Sequence, residues 1–353
     1  MEQSQSFKVK ARCFAYYKLP GGEDFFAVAQ DSDPVIFNQL ADLSNDHQGF
    51  LIAPFDATQG PLVLIRPKFS ESYKISDYPD YRALGACDEF GFDEVDFKAY
   101  ADTFESCIRQ LQANELKKIV LSFSFNVSTH HQSPALENIF IKACHAFPKS
   151  YVALWSTPDT GTWLTITPEV ILESTALSQF HTVALAGTMR REQASQPPVW
   201  SAKNTEEQKY VADYILSQLE ALNIKAQVMP TRTVEAANLL HLCTDFYFTS
   251  DLNIGALLGA LHPTPAVCGM PQMAALDQIL KIEQHQRGYY AGFSGPLNLN
   301  HQTHLYVTLR CANCINVNQW RLYAGGGLLK ESVLQDEWHE IIAKVQTAYK
   351  IIQ

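Results

Sequence analysis

Strand-like runs arrive in clusters in this chain, and the tightest cluster restricts the fold most. Residues 151–156, 163–167, 170–174 and 180–185 are apolar and β-prone, with only short turns between them. The turn signal Pro158-Asp-Thr-Gly161 separates the first two and favours an antiparallel hairpin. Shorter runs at 25–29, 49–53 and 62–65 come earlier, among turn-rich stretches such as Leu19-Pro-Gly-Gly22. Strands are also expected at 118–128, 241–247, 289–292, 305–312 and 319–324. Helices fall between the clusters. Phe97, Tyr100, Phe104, Ile108 and Leu111 recur at spacings of three and four, predicting a helix over 95–114. Further helices are expected at 134–146, 203–222 and 335–352. Clustered strands with intervening helices favour an α+β fold with antiparallel sheets over a regular βαβ alternation.

A second constraint is the segment 261–271, Leu-His-Pro-Thr-Pro-Ala-Val-Cys-Gly-Met-Pro. Its prolines fix φ, restrict the residues before them and remove backbone donors. Gly269 can adopt angles other residues avoid. The segment reads as a rigid, shaped loop between two helix-like runs, and composition alone makes it a connector.

At 353 residues the chain can bury a large core. No apolar run reaches the ~18–20 residues that cross a bilayer. The first residues, Met-Glu-Gln-Ser-Gln-Ser, lack the layout of a signal peptide, so a cytoplasmic location is expected. A net charge of −10, with no Lys/Arg-rich run, argues against nucleic acid or acidic membranes as partners. An anionic small substrate would need local help from Arg, Lys or a metal ion. Eight cysteines in this length do not make a disulfide scaffold. Cys311 and Cys314 form a lone CxxC without two further zinc ligands, and Cys311 is expected to end a buried strand.

Several groups have both an ordinary and a chemical reading. Lys203 and Glu207 are i,i+4 helix neighbours, suited to a solvated ion pair. Glu337, Glu340 and Lys344 share a helical face, which would ordinarily be exposed. If carboxylates from these two helices faced one cavity, their oxygens would suit Mg²⁺. Lys118 begins a strand, as exposed lysines often do; facing a closed cavity, it could be a base. Glu169, in Thr167-Pro-Glu-Val170, is a turn carboxylate or, if enclosed, a general acid. The glycine run in Tyr323-Ala-Gly-Gly-Gly327 is a flexible turn or a close approach to an anion. It is neither a P-loop nor a dinucleotide fingerprint. His241 and His262 lie in apolar surroundings, where hydrogen-bonded core histidines are common.

The order of these pieces carries more than any one of them. Lys-Ile-Val-Leu-Ser, Thr-Pro-Glu, Leu-Ala-Gly-Thr, Ser-Ala-Lys-(x)3-Glu and His-Pro-Thr-Pro-Ala-Val come first. Arg-Gly-Tyr-Tyr-Ala-Gly, Leu-Arg-Cys-Ala, Tyr-Ala-Gly-Gly-Gly and Glu-Trp-x-Glu-(x)3-Lys follow. Across residues 95–353 this resembles the chorismate-utilising enzymes (anthranilate synthase component I-like), and among them the isochorismate synthases most. The resemblance implies two large antiparallel sheets with helices outside and the active site between them. Residues 1–92 would be a strand-rich part integral to that fold, and 93–353 the chorismate-binding region. Ammonia-using relatives carry glutamine at the position of Lys118, and the aminodeoxychorismate type a lysine at that of Ala186. Salicylate synthases share the lysine but differ at Pro265-Ala-Val267. These groups are the alternatives, together with a non-catalytic protein of the same fold, which would require a lost acid, base or metal ligand.

By the same resemblance, Lys118 is the base that activates water for attack at C2 of chorismate, and Glu169 the acid that protonates the departing C4 hydroxyl. Mg²⁺ sits between Glu207 and Glu340, with Glu337 nearby through water, and holds the ring carboxylate. Arg310, Lys344, Tyr290 and the backbone at Gly325 and Gly326 hold the enolpyruvyl carboxylate. His241 lies near the C4 oxygen, and Ala266 and Val267 shape the water pocket. A monomer is implied, with a product feeding menaquinone or siderophore synthesis. There are departures: Met189-Arg190 replaces Arg-Pro, Asn204 stands where an acid is frequent, and Val267 is smaller than the usual leucine. The N-terminal part lacks a Leu-Leu-Glu-Ser effector motif.

Overall fold

Among the described residues the N-terminal part forms six short strands, the last of them polar and exposed: β1 (Cys13–Lys18), β2 (Asp24–Gln30), β3 (Val35–Phe37), β4 (Gly49–Ala53), β5 (Leu62–Ile65) and β6 (Phe69–Lys74). This computed structural model describes residues 10–81, 90–129, 135–176, 178–191, 194–195, 197–236 and 239–353. Helix α1 (Glu94–Gln112) starts where the Asp93 side chain accepts from the Asp96 amide at 2.8 Å. It buries Tyr100, Phe104, Cys107 and Leu111, the stripe its spacing predicts. Then come β7 (Lys118–Ser128), α2 (Leu136–Ala146), β8 (Tyr151–Thr157), β9 (Gly161–Thr167), β10 (Val170–Ala176) and β11 (Gln179–Arg190). Pro134, the expected first residue of the second helix, lies outside the described residues.

Helix α3 (Ala202–Ala221), capped by Ser201, leads to β12 (Gln227–Val228), β13 (Arg232–Ala236) and β14 (Leu239–Thr249). Helix α4 (Ile254–Leu261) and α5 (Gln272–Ile282) flank the two-residue β15 (Gly269–Met270). The chain ends with β16 (Phe293–Leu297), β17 (Thr303–Val307), β18 (Ala312–Asn316), β19 (Gln319–Leu328) and α6 (Leu334–Ile352).

Among the described residues the strands form two sheets. One has nine strands in the order β15-β7-β19-β18-β9-β8-β1-β2-β6. The other has ten along β12-β14-β11-β10-β17-β16-β4-β5-β3 together with β13, which pairs with β14. The pairings described in both are antiparallel, including the hairpin β8–β9. Each sheet takes three strands from before residue 75, so the N-terminal part builds both sheets.

Strands β1, β3, β6, β12 and β13 have no counterpart among the expected elements, and three further details depart from them. Residues 289–292 are a turn, and the strand begins at Phe293. The expected strand 305–312 is two strands, broken where Arg310 takes φ +46°. Cys311 is therefore buried between strands instead of ending one. The proline-rich loop is not irregular throughout: Gly269 and Met270 pair with Ile119 and Lys118. Gly269 (φ +153°) is needed there, because a Cβ would lie 2.5 Å from the Lys118 carbonyl oxygen.

Candidate active site

The glycine run of β19 is where two helices come together. In the β7–β19 ladder, Gly325, Gly326 and Gly327 lie opposite Ser122, Leu121 and Val120. Without side chains they leave room for carboxylates from outside the sheet. A Cβ at Gly327 would overlap Glu207 of α3 and come within 2.9 Å of Lys118 Cε. A Cβ at Gly326 would meet Glu337 Oε2 at 3.3 Å and Glu340 Oε1 at 3.9 Å, both from α6. The run is a strand packed under the Glu207, Glu337 and Glu340 side chains, not a turn.

Each of these glutamates is matched by a lysine. Lys118, fully buried on β7, puts Nζ 3.0 Å from Glu207 Oε1, outside hydrogen-bond geometry. Lys344 Nζ is 2.7 Å from Glu340 Oε1 and donates to the Gly325 carbonyl at 2.7 Å. Lys203 pairs with Glu337 across the two helices, not with Glu207 on its own helix. Glu337 is buried rather than exposed, and its Oε2 has no hydrogen-bond partner. Burial and the nearby Glu340 charge push its carboxyl up to about 7, against the pull of Lys203. Burial also acts on Glu340, but Lys344 and Lys203 outweigh it and hold that carboxyl below its ordinary value.

Facing the strip is the second sheet. Gly187 (φ +72°) sits at a bulge in the β11–β14 pairing, between Ala186 and Thr188. His241 of β14 lies beside it, with Nδ1 3.0 Å from the Gly187 carbonyl oxygen and Nε2 2.8 Å from Arg310 Nη2. A guanidinium can only donate, so Nε2 accepts, Nδ1 carries the proton and the ring is neutral. Burial, then Arg310 and Lys344, push its pKa down to about 3, in agreement. Arg310 also donates to the Ala236 carbonyl at 3.1 Å, and its left-handed backbone turns it inward.

Glu169, between β9 and β10, is 4% exposed. Burial pushes its carboxyl up to about 8, despite Lys118, Lys344 and Arg310. It is therefore protonated at neutral pH. Glu169, Glu207, His241, Ala266, Val267, Tyr290, Arg310, Gly325 and Lys344 line one cavity between the sheets. Lys118, Gly326, Glu337 and Glu340 are attached to it through the contacts just described. Tyr290 stacks on Tyr323 with ring centroids 5.5 Å apart.

Other expectations resolve differently. His262 is a core histidine, with Nε2 3.1 Å from the carbonyls of both Pro54 and Phe55. Asn204 turns to the sheet and donates to the Thr188 carbonyl at 3.3 Å. The described cysteines are free. Among the described residues no helix is long and apolar enough to cross a membrane. Two groups escaped the sequence reading. Lys203 was paired within its own helix by spacing, although Glu337 on another helix claims it. Arg287, fully buried behind the cavity, is visible in sequence only as the first residue of Arg-Gly-Tyr-Tyr-Ala-Gly.

Fold and cavity together define a class: a two-sheet α+β protein with a cavity between its sheets, a buried lysine, a buried glutamate whose pKa is raised to about 8, and three further glutamates beside it. The chain belongs to the chorismate binding enzyme family, whose pattern matches residues 74–353. It is 29% identical over 244 residues to the vibriobactin-specific isochorismate synthase of Vibrio cholerae, covering 66% of this chain and 61% of that one. Isochorismate synthase EntC of Escherichia coli is 28% identical over 266 residues, covering 70% of this chain and 66% of its own. These matches thus span less than two thirds of the relatives' length. The fold is that of DhbC from Bacillus anthracis (TM-score 0.79, 22% identity, 98% of this chain and 97% of that one). It is also that of MenF, the menaquinone-specific isochorismate synthase from Escherichia coli (TM-score 0.76, 21% identity, 98% and 89%).

Proposed function

We propose that this chain is an isochorismate synthase, converting chorismate to isochorismate by water attack at C2 and loss of the C4 hydroxyl. The observation that carries the reading is the enclosure of Lys118 and Glu169 in one buried region between the sheets, where burial raises the Glu169 carboxyl to about 8. Water is a poor nucleophile and hydroxide a poor leaving group, so the reaction needs a base and an acid. Lys118 takes a proton from the attacking water as its oxygen bonds to C2. The ring double bonds shift and the C4–O bond breaks. Glu169 gives its proton to the departing oxygen, so one water enters and one leaves. Neutral His241, kept in one tautomer by Gly187 and Arg310, is placed to orient the C4 oxygen. Arg310, Lys344, Tyr290 and the backbone at Gly325 and Gly326 hold the enolpyruvyl carboxylate. Ala266 and Val267 close the side where water stands.

Glu207, Glu337 and Glu340 suit Mg²⁺. They offer hard oxygen donors over a glycine strip, and one buried oxygen, Glu337 Oε2, has no partner. Among the described residues no three such ligands are already gathered, and each glutamate is matched by a lysine instead. The ion, when bound by these glutamates, would supply positive charge for the ring carboxylate of a dianion entering a protein of net charge −10. The reading includes a cytoplasmic monomer; size-exclusion chromatography tests its oligomeric state.

The test is to incubate the purified protein with chorismate and Mg²⁺, with and without ammonia, and resolve the products by chromatography. A species of chorismate's own mass with shifted retention is expected in both. Salicylate or anthranilate as the main product overturns the reading. Lys118→Gln should lose turnover by about 10²–10⁴-fold while retaining Mg²⁺ binding; unchanged turnover removes Lys118 from the role of base.

A further inference from the structure

Arg287 has no place in the chemistry above, yet it is fully buried and every nitrogen of its guanidinium is engaged. Its Nε and Nη2 grip Glu283 at 2.8 and 2.6 Å, a bidentate pair one helical turn apart in sequence. Nη1 donates to the Val267 carbonyl at 2.7 Å, and Nη2 also donates to the Val120 carbonyl at 2.7 Å. The face of the guanidinium lies 4.3 Å from the Phe55 ring centroid and 5.8 Å from that of Tyr290. Glu283 in turn accepts from the Ser122 amide at 2.8 Å and the Ser122 hydroxyl at 2.9 Å.

Val120, Val267 and Tyr290 all line the cavity. They come from three separate parts of the chain: β7, the proline-rich loop, and the turn before β16. Beyond Cys268, whose carbonyl accepts from the Val120 amide at 2.7 Å, the ladder between the loop and β7 stops. Val120 and Val267 then present carbonyls that cannot bond each other, because both are acceptors. Arg287 fills that gap. Only a planar fork satisfies two carbonyls and a carboxylate at once; a lysine ammonium is a single point with three rotatable donors.

We propose that Arg287 is a positioning residue, fixing the separation of the Val120 and Val267 walls and the seat of Tyr290, and so the width of the substrate pocket beside the strand that bears Lys118. The substrate is chorismate on the reading above, on which this inference rests for its kinetic consequence. Arg287 does not touch the substrate; it acts through the wall residues. A wider pocket loses contacts made equally in ground and transition states, so the defect falls on KM more than on kcat.

Two variants and two readouts test this. Arg287→Lys keeps the charge opposite Glu283 but not the fork. Glu283→Gln with Arg287→Met removes both charges, so neither is left buried alone. Hydrogen–deuterium exchange without substrate reads the loop directly. In both variants residues 264–268 should exchange about tenfold faster, with β14 and α6 unchanged. With chorismate, KM should rise about tenfold while kcat falls less than threefold. Loop exchange and KM equal to the wild type in Arg287→Lys overturn the proposal. So does exchange that rises equally across the whole chain in both variants, which makes the pair a support of the fold alone. If the wild-type protein leaves chorismate unconverted, the assignment of function falls, while the exchange result still decides whether Arg287 holds the loop.

Discussion

Glu169 and Glu173 lie four residues apart, on the same stretch of chain leading into and along β10, and their carboxyls behave in opposite ways. Glu169 is pushed up to about 8 by burial, with only the fields of Lys118, Lys344 and Arg310 to oppose it. Glu173 is also partly buried, but three donors bind it directly. Tyr306 donates at 2.5 Å, and His304 and His181 lie 3.1 and 3.2 Å away through Nδ1. These hydrogen bonds overcome burial and bring it down to about 2. His181 reaches Asp245 with its other nitrogen at 3.0 Å, so the whole cluster is paired. Charges at a distance leave a buried carboxyl able to exchange its proton near neutral pH; donors in contact lock it as an anion. One carboxyl is left able to exchange its proton, and the other ties three strands together.

The largest expected effect breaks or keeps that comparison directly. Glu169→Gln should cut turnover of chorismate by about 10²–10⁴-fold, while Glu173→Gln stays within about threefold of the wild type. Equal losses in steady-state assays would mean the two carboxyls are not different in kind. Next comes pH. If Glu169 must be protonated, kcat falls about tenfold per pH unit above about 8. A flat profile to pH 9.5 would remove Glu169 as the acid.

Stability should show opposite signs at the two positions. The folded state holds the Glu169 proton between the ordinary carboxylate range and about 8, so this group makes stability fall as pH rises through that window. Glu337, pushed up to about 7, adds in the same direction. Glu173 does the reverse: its contribution is complete above the ordinary carboxylate pKa and is lost as pH falls towards about 2. Denaturant unfolding of Glu173→Gln at pH 7 should show a loss of about 1–3 kcal/mol. Tyr306→Phe, which removes one of three donors, should cost about 1 kcal/mol. A larger loss from Tyr306→Phe than from Glu173→Gln would mean that packing, not the hydrogen bond, is what matters there.

The helices and most strands were legible because their signals are local. The stripe from Phe97 to Leu111 and the Pro158–Gly161 turn each report neighbours within a few residues. The misread elements are those where a distant partner overrides the local pattern. An even apolar run from Leu305 to Ala312 conceals the reversal at Arg310, where a left-handed residue turns a side chain towards His241. Spacing joined Lys203 to Glu207, but burial against α6 gave Lys203 to Glu337. The His181–Glu173–His304 cluster was not foreseen, since its members sit on three different strands.

The residues proposed as acid, base and cation ligands, and their order along the chain, are written in the chain itself and need no coordinates to be read. Their protonation and pairing are not. A carboxyl's pKa depends on how much water the fold removes and on which charges it brings near, and those charges come from residues far away in sequence. Lys344 acts on Glu169 from the far end of the chain, and Arg287 joins Val120 to Val267 from a third element. Packing of the two sheets and their helices decides which of two glutamates four residues apart keeps its proton.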